Sequence, residues 1–176
     1  MTSRFALKTA TDDIHRELDN RLSRLDLGKV EDYRRFLDFQ ARTVPSIEGA
    51  LATAGLGELV SGWCASRRAA AIESDLAALG QSMPSTAPAP PIVGTAELLG
   101  TAYVLEGSRL GGKVLRRRLA DGLPASFLGD DAIGTWPSLL VVIERVLDSD
   151  DLLGEAKAAS RRCFAWFLQI ANEIGI

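Results

Sequence analysis

A chain of 176 residues that is 47% hydrophobic can bury one sizeable core, and its formal charge of −3 exerts no general pull on nucleic acid. No apolar run approaches the roughly 20 residues of a membrane span, and the charged first stretch reads as an amphipathic helix rather than a signal peptide. Cys64 and Cys163 stand alone, without metal or redox spacing, so a cytoplasmic protein with two reduced, buried cysteines is expected.

The first helix is predicted from Ser3 to Asn20, capped by Thr2 or Ser3, with Leu7, Ala10, Ile14 and Leu18 as its apolar stripe. After Gly28 a second helix spans Glu31 to Ala54 and turns Tyr33, Phe36, Leu37, Ala41, Val44, Ile47 and Leu51 inward. Pro45 should kink it, and Gly55 and Gly57 end it. A third helical region, readable as two pieces, carries Leu59, Trp63, Ile72, Leu76 and Leu79 and stops at Gly80. Pro84, Pro88, Pro90 and Pro91 then make Gln81 to Val93 an extended surface loop. Thr95 is the expected N-cap of a long helix ending near Leu119, followed by an irregular loop from Asp121 to Gly134. Thr135 caps a short helix from Trp136 to Leu147 that tolerates Pro137 in its first turn. Asp150 or Asp151 opens a last helix running to about Ile174. With no alternating β pattern and no repeat, residues 1–176 read as a single all-α domain, a helical bundle with antiparallel neighbours.

The long helix contains Glu106-Gly107-Ser108-Arg109-Leu110-Gly111-Gly112-Lys113, in which three glycines cost about 1 kcal/mol each relative to alanine. A helix that accepts them needs its bare backbone close to something. Gly107 to Lys113 is also a phosphate-loop pattern, but Val114 stands where a magnesium-binding hydroxyl belongs and no strand precedes it. The single histidine, His15, lies at the edge of the first helix's apolar stripe. It reads either as a hydrogen-bonded structural imidazole or as an axial iron ligand, with Asp19 one turn on to hold the second ring nitrogen. One histidine cannot build a di-iron site, and nothing in the cysteine spacing supports zinc.

Leu7-Lys8-Thr9-Ala10-Thr11-Asp12-Asp13-Ile14-His15, followed by Leu18-Asp19, resembles the proximal helix of haem oxygenases. Tyr103 to Gly112 resembles the distal helix of their bacterial branch, which includes enzymes encoded beside bacteriophytochromes and enzymes used for iron acquisition. The resemblance implies a haem held between the two helices as both cofactor and substrate, with His15 on the iron and Gly107 and Gly111 leaving room for O₂. It implies cleavage to biliverdin, CO and iron with electrons from a reductase or ferredoxin, and a bacteriophytochrome as a possible recipient of the biliverdin. Lys8 and Tyr103 match the family's propionate-binding positions. Ser108 falls where many members carry an aspartate that organises water, so an uncharged network of hydroxyl, water and backbone is expected there. Arg145 lies nearest to a later basic position of the family. Arg116, Arg117 and Arg118 read as a solvated helix end that could dock an acidic electron donor. The alternatives are a haem sensor or carrier on the same fold, and a thiamin-degrading relative, for which neither cysteine has the necessary setting.

Overall fold

Helix α1 (Ser3–Leu22) begins where Thr2, in extended backbone, accepts a hydrogen bond from the Phe5 amide at 3.3 Å. The computed structural model describes residues 2–129 and 135–176, so the end of the loop expected up to Gly134 lies outside the described residues. Leu7, Thr11 and Leu18 are the buried line of α1, while Ala10 and Ile14 are only half-buried at its flank. Helix α2 (Val30–Thr53) runs without a break past Pro45, whose missing N–H deprives the Ala41 carbonyl of its helical partner.

The third helical region is in three pieces rather than two: α3 (Leu56–Leu59), a 3-10 turn at Trp63–Ser66, and α4 (Ala69–Ala78). The break before the turn falls at Gly62, whose φ of 80° suits glycine. Helix α5 (Gly94–Arg116) is not capped by Thr95. Val93 takes the cap position, Gly94 turns the chain at φ 75°, and the Glu97 carboxylate accepts the Val93 amide at 2.8 Å. Helix α6 (Trp136–Val146) follows Thr135, whose hydroxyl reaches Glu106 at 3.4 Å instead of capping. Ser149 caps α7 (Asp150–Glu173), accepting from the Leu152 amide, and Asp150 and Asp151 complement the dipole of its first turn. Among the described residues there is no strand, and no helix is long and apolar enough to cross a membrane. Cys163 is buried as expected, but Cys64 is exposed. It sits on the outer side of the 3-10 turn with its sulfur over the bare backbone of Gly57.

Helix α7 carries the rest. Both α1 and α5 pack extensively on it, with α2 beside α4 closing the layer behind. Arg161 of α7 pairs with Asp13 of α1 at 2.7 Å, and holds its carboxyl down at about 2. On the other side α5 crosses α7 at Gly100, which lies directly on the Ala156 main chain. The Ser160 hydroxyl fastens the crossing by donating toward the Gly100 carbonyl at 2.8 Å. Any side chain at residue 100 would overlap the Ala156 carbonyl, which is main chain and cannot rotate away.

Gly100→Ala should therefore destabilise the fold by about 1–3 kcal/mol, the usual cost of overpacking, despite alanine's better helix propensity. Denaturant unfolding of the variant against wild type measures this, and equal stability would show that the two helices can separate.

Candidate functional site

Because α1 and α5 are both carried by α7, the space between them is left as a cavity of about 830 Å³, a size typical of cofactor sites. Its interior is apolar, with Phe39 and Val44 from α2 and Phe164 and Phe167 from α7 among its walls. Lys8, Thr11 and His15 of α1 face it from one side, and Tyr103, Gly107, Ser108 and Gly111 of α5 from the other. The six residues singled out in the sequence (Lys8, His15, Tyr103, Gly107, Ser108 and Gly111) thus line one cavity.

His15 keeps half of its side chain exposed, packs its ring 5.1 Å from that of Phe164, and has Nε2 3.3 Å from Asp19 Oδ2. The carboxylate at i+4 therefore reaches one ring nitrogen, as the spacing suggested. Gly111 shows what the facing helix offers. A methyl built on it would meet no heavy atom within 4 Å, and one on Gly107 would make only ordinary contact with Trp136 at 3.5 Å. Neither is a tight spacer like Gly100; both line the cavity, and the side-chain direction of Gly111 is open. The stretch from Gly107 to Lys113 is also continuous helix, not a phosphate loop.

Lys8 is well exposed and within 3.5 Å of Asp12. Tyr103 packs at a tilt beside Trp136, ring centres 5.4 Å apart; burial raises the pKa of its hydroxyl, and the positive charge of nearby Arg4 opposes that rise. Arg4 also lines the cavity, which puts two cations and a phenol at this end. Arg145 is exposed on α6 and does not line the cavity. Arg116, Arg117 and Arg118 are all exposed, and Arg118 also donates to the Ser23 and Leu25 carbonyls just after α1.

Behind the glycines lies a charged network instead of the uncharged one expected around Ser108. Arg68, 8% exposed, comes from the residue before α4. Its Nη1 and Nη2 both donate to Ser108 Oγ at 3.2 Å, and Nη2 also donates to the Leu105 carbonyl at 3.0 Å. The Ser108 hydroxyl donates to that same carbonyl at 2.6 Å. The fully buried Glu48 of α2 accepts the Arg68 and Ala69 amides at 2.6 and 3.2 Å, supplying the carboxylate that caps α4. Beside it, buried Glu106 accepts from Arg109 Nε at 2.8 Å and from Trp63 Nε1 at 3.2 Å. Burial, then the neighbouring Arg109, pushes the Arg68 guanidinium down to about 10, so it stays charged at neutral pH.

One further buried carboxylate shapes the wall. Asp75 of α4 accepts the Ser126 and Phe127 amides at 2.9 Å each, and the Tyr33 hydroxyl binds the Pro124 carbonyl at 2.8 Å. This pins the loop that brings Phe127 under the Arg68 guanidinium, 5.4 Å from the ring centre. Sequence reading missed Arg4, Glu48, Arg68 and Asp75. The only local signal was a pair of arginines before an alanine-rich helix.

An imidazole facing an apolar slot, bare helix backbone across from it, and cations at one end suit a flat apolar ligand with a metal centre and anionic edge groups. No family model matches the chain. It is 36% identical to a haem oxygenase of Xanthomonas campestris pv. campestris (strain 8004) over 114 residues, covering 61% of this chain and 68% of that protein. Its fold superposes on the NO- and CO-bound haem oxygenase of Neisseria meningitidis with a TM-score of 0.85, covering 100% of this chain and 94% of the other at 21% identity.

Gly111→Ala should leave the fold intact and raise its stability by up to about 1 kcal/mol, since its φ is not positive and the methyl has room. A melting curve compared with that of Gly100→Ala checks the contrast; equal losses in both would mean that Gly111 is also a packing residue.

Proposed function

Because the chain belongs to the haem oxygenase family and its reaction is the oxidative breakdown of haem, we propose that this happens in the cavity between α1 and α5, with His15 as the iron ligand. Bound haem supplies the iron that activates O₂ and is itself the molecule that is opened, to biliverdin, CO and iron. The rest is the work of this chain. His15 would offer one ring nitrogen to the iron while Asp19 holds the imidazole's orientation through the other. Lys8, with Arg4 and Tyr103 beside it, binds the propionates by charge-assisted hydrogen bonds. Gly107 and Gly111 keep the opposite face free of side chains, and the Ser108–Arg68 pair forms its polar border. Phe39, Phe164 and Phe167 exclude water from the interior.

The observation that carries this reading is the pairing of the chain's one imidazole with open space over Gly111 across the same cavity. Electrons come from a separate donor protein, for which Lys113, Arg116 and Arg117 at the exposed end of α5 are a basic landing. The likeness of Tyr103 to Gly112 is to the bacterial branch, whose members serve bacteriophytochromes or iron acquisition, so the biliverdin goes to a phytochrome or the purpose is release of iron.

Haemin added to the protein, followed by reductant under air, should give a Soret band that decays into bilin absorbance. His15→Ala should lose the iron–histidine band in the resonance Raman spectrum and lose turnover, with imidazole restoring part of both; a retained band would remove His15 from the iron. Gly111→Ala should still bind haemin but give less biliverdin, because the added methyl occupies the space that O₂ needs. Full biliverdin yield from that variant would show that the space is not used.

A further inference from the structure

The Ser108 hydroxyl is fully engaged. It has one hydrogen and two lone pairs. The hydrogen goes to the Leu105 carbonyl at 2.6 Å, and the oxygen accepts from both Nη1 and Nη2 of Arg68 at 3.2 Å. A water or anion in the cavity could be held by Ser108 only if one of these bonds broke. The guanidinium is not saturated. Of its five N–H bonds, Nη2 engages Ser108 and the Leu105 carbonyl and Nη1 engages Ser108 with one of its two, so one N–H of Nη1 is left over, while Nε is buried without a partner among the described residues.

The charge of Arg68 has no direct ion-pair partner among the described residues, although Glu106 and Glu48 act on it from a distance. Glu106 is paired with Arg109 at 2.8 Å, and the Glu48 oxygens are taken by the Arg68 and Ala69 amides, with Arg67 3.8 Å away. Among the described residues no carboxylate lies within ion-pair distance of the Arg68 guanidinium. A cation that is nine-tenths buried and lines a cavity, with an N–H to spare, is a site for an anionic or strongly dipolar ligand. It is also held rigidly: its backbone amide by Glu48, its fork by Ser108 and the Leu105 carbonyl, and its face by Phe127.

We infer that Arg68, not Ser108, is the hydrogen-bond donor that holds a small anion or water on the α5 side of the cavity, and that Ser108 takes up N–H groups of that guanidinium rather than offering one of its own. This rests on the haem reading above. It assigns the polar role on this face to a residue from the start of α4, outside the glycine-bearing motif.

Fluoride, a small anion that binds ferric haem and accepts hydrogen bonds, is the probe. Its affinity is read from the visible spectrum of the haemin-loaded full-length protein. Arg68→Gln should weaken fluoride binding roughly tenfold or more, the loss expected for a charge-assisted hydrogen bond. Ser108→Ala removes the hydroxyl but leaves the guanidinium, so it should bind fluoride as tightly as wild type or more tightly, because Nη1 and Nη2 are released. The C–O stretching frequency of the ferrous carbon monoxide complex should follow the same order, rising in Arg68→Gln and not in Ser108→Ala. Should Arg68→Gln fail to fold, the Ser108→Ala result still decides: a tenfold loss of fluoride there would make the hydroxyl the donor and overturn the inference. Unchanged fluoride binding in a folded Arg68→Gln protein would overturn it equally. A wild-type protein with no Soret band on adding haemin would overturn the haem reading itself, a failure that differs from either result with the variants.

Discussion

Everything at the cavity depends on the contact of α5 with α7 at Gly100 and Ala156. Both walls are carried by α7: α1 through the Arg161–Asp13 pair and the apolar line from Cys163 to Phe167, α5 through the main-chain approach at Gly100. Neither wall needs the other for support, so the space between them survives folding. The same residue type does opposite things seven and eleven positions later. Gly100 lacks a side chain so that two helices can touch, whereas Gly107 and Gly111 lack one where nothing else approaches closely. Close packing makes the first obligatory for stability, whereas a methyl at the other two would meet at most ordinary contact.

The two walls also differ electrically. On α1 the polar side chains form solvated pairs one turn apart: Lys8 and Arg16 with Asp12, and His15 with Asp19. Such pairs contribute little to stability, and they leave the imidazole accessible. Behind α5 the charges are buried and were brought together from α2, α4 and α5: Glu48, Arg68, Glu106 and Arg109. Burying a charge costs several kcal/mol unless it is well paired. Glu106 and Arg109 meet that condition with each other, with Trp63 and with Ser66. Arg68 is hydrogen-bonded through its side chain to neutral acceptors only, and this charge lines the cavity.

The fold class, the order of the helices and six of the cavity's residues were legible in the sequence for a common reason. Each depended on spacing along one helix or on a stretch short enough to resemble a known one. Helix starts were less legible: Thr95 is a good cap by type, but Gly94's left-handed turn moved the cap to Val93, and Glu97 took over the capping. Cys64 was misjudged because a 3-10 turn has no periodicity that tells inside from outside. The charged network was not legible at all. Glu48 lies 20 residues from the amide it caps, and Arg68 lies 40 from the hydroxyl it grips, so no local pattern joins them.

The central claim is a location: iron between His15 and the bare backbone of α5. The most direct test compares amide NMR spectra of the protein with one equivalent of haemin and with one of zinc protoporphyrin. The paramagnetic iron erases signals by distance, and the zinc complex controls for binding alone. Signals should be lost most completely at residues 11–19 and 104–112, with α6 beyond Trp136 and the outer turns of α2 spared. Losses centred elsewhere, for instance on the small groove between Arg35 and Ile176, or spread evenly over the surface, would contradict the account.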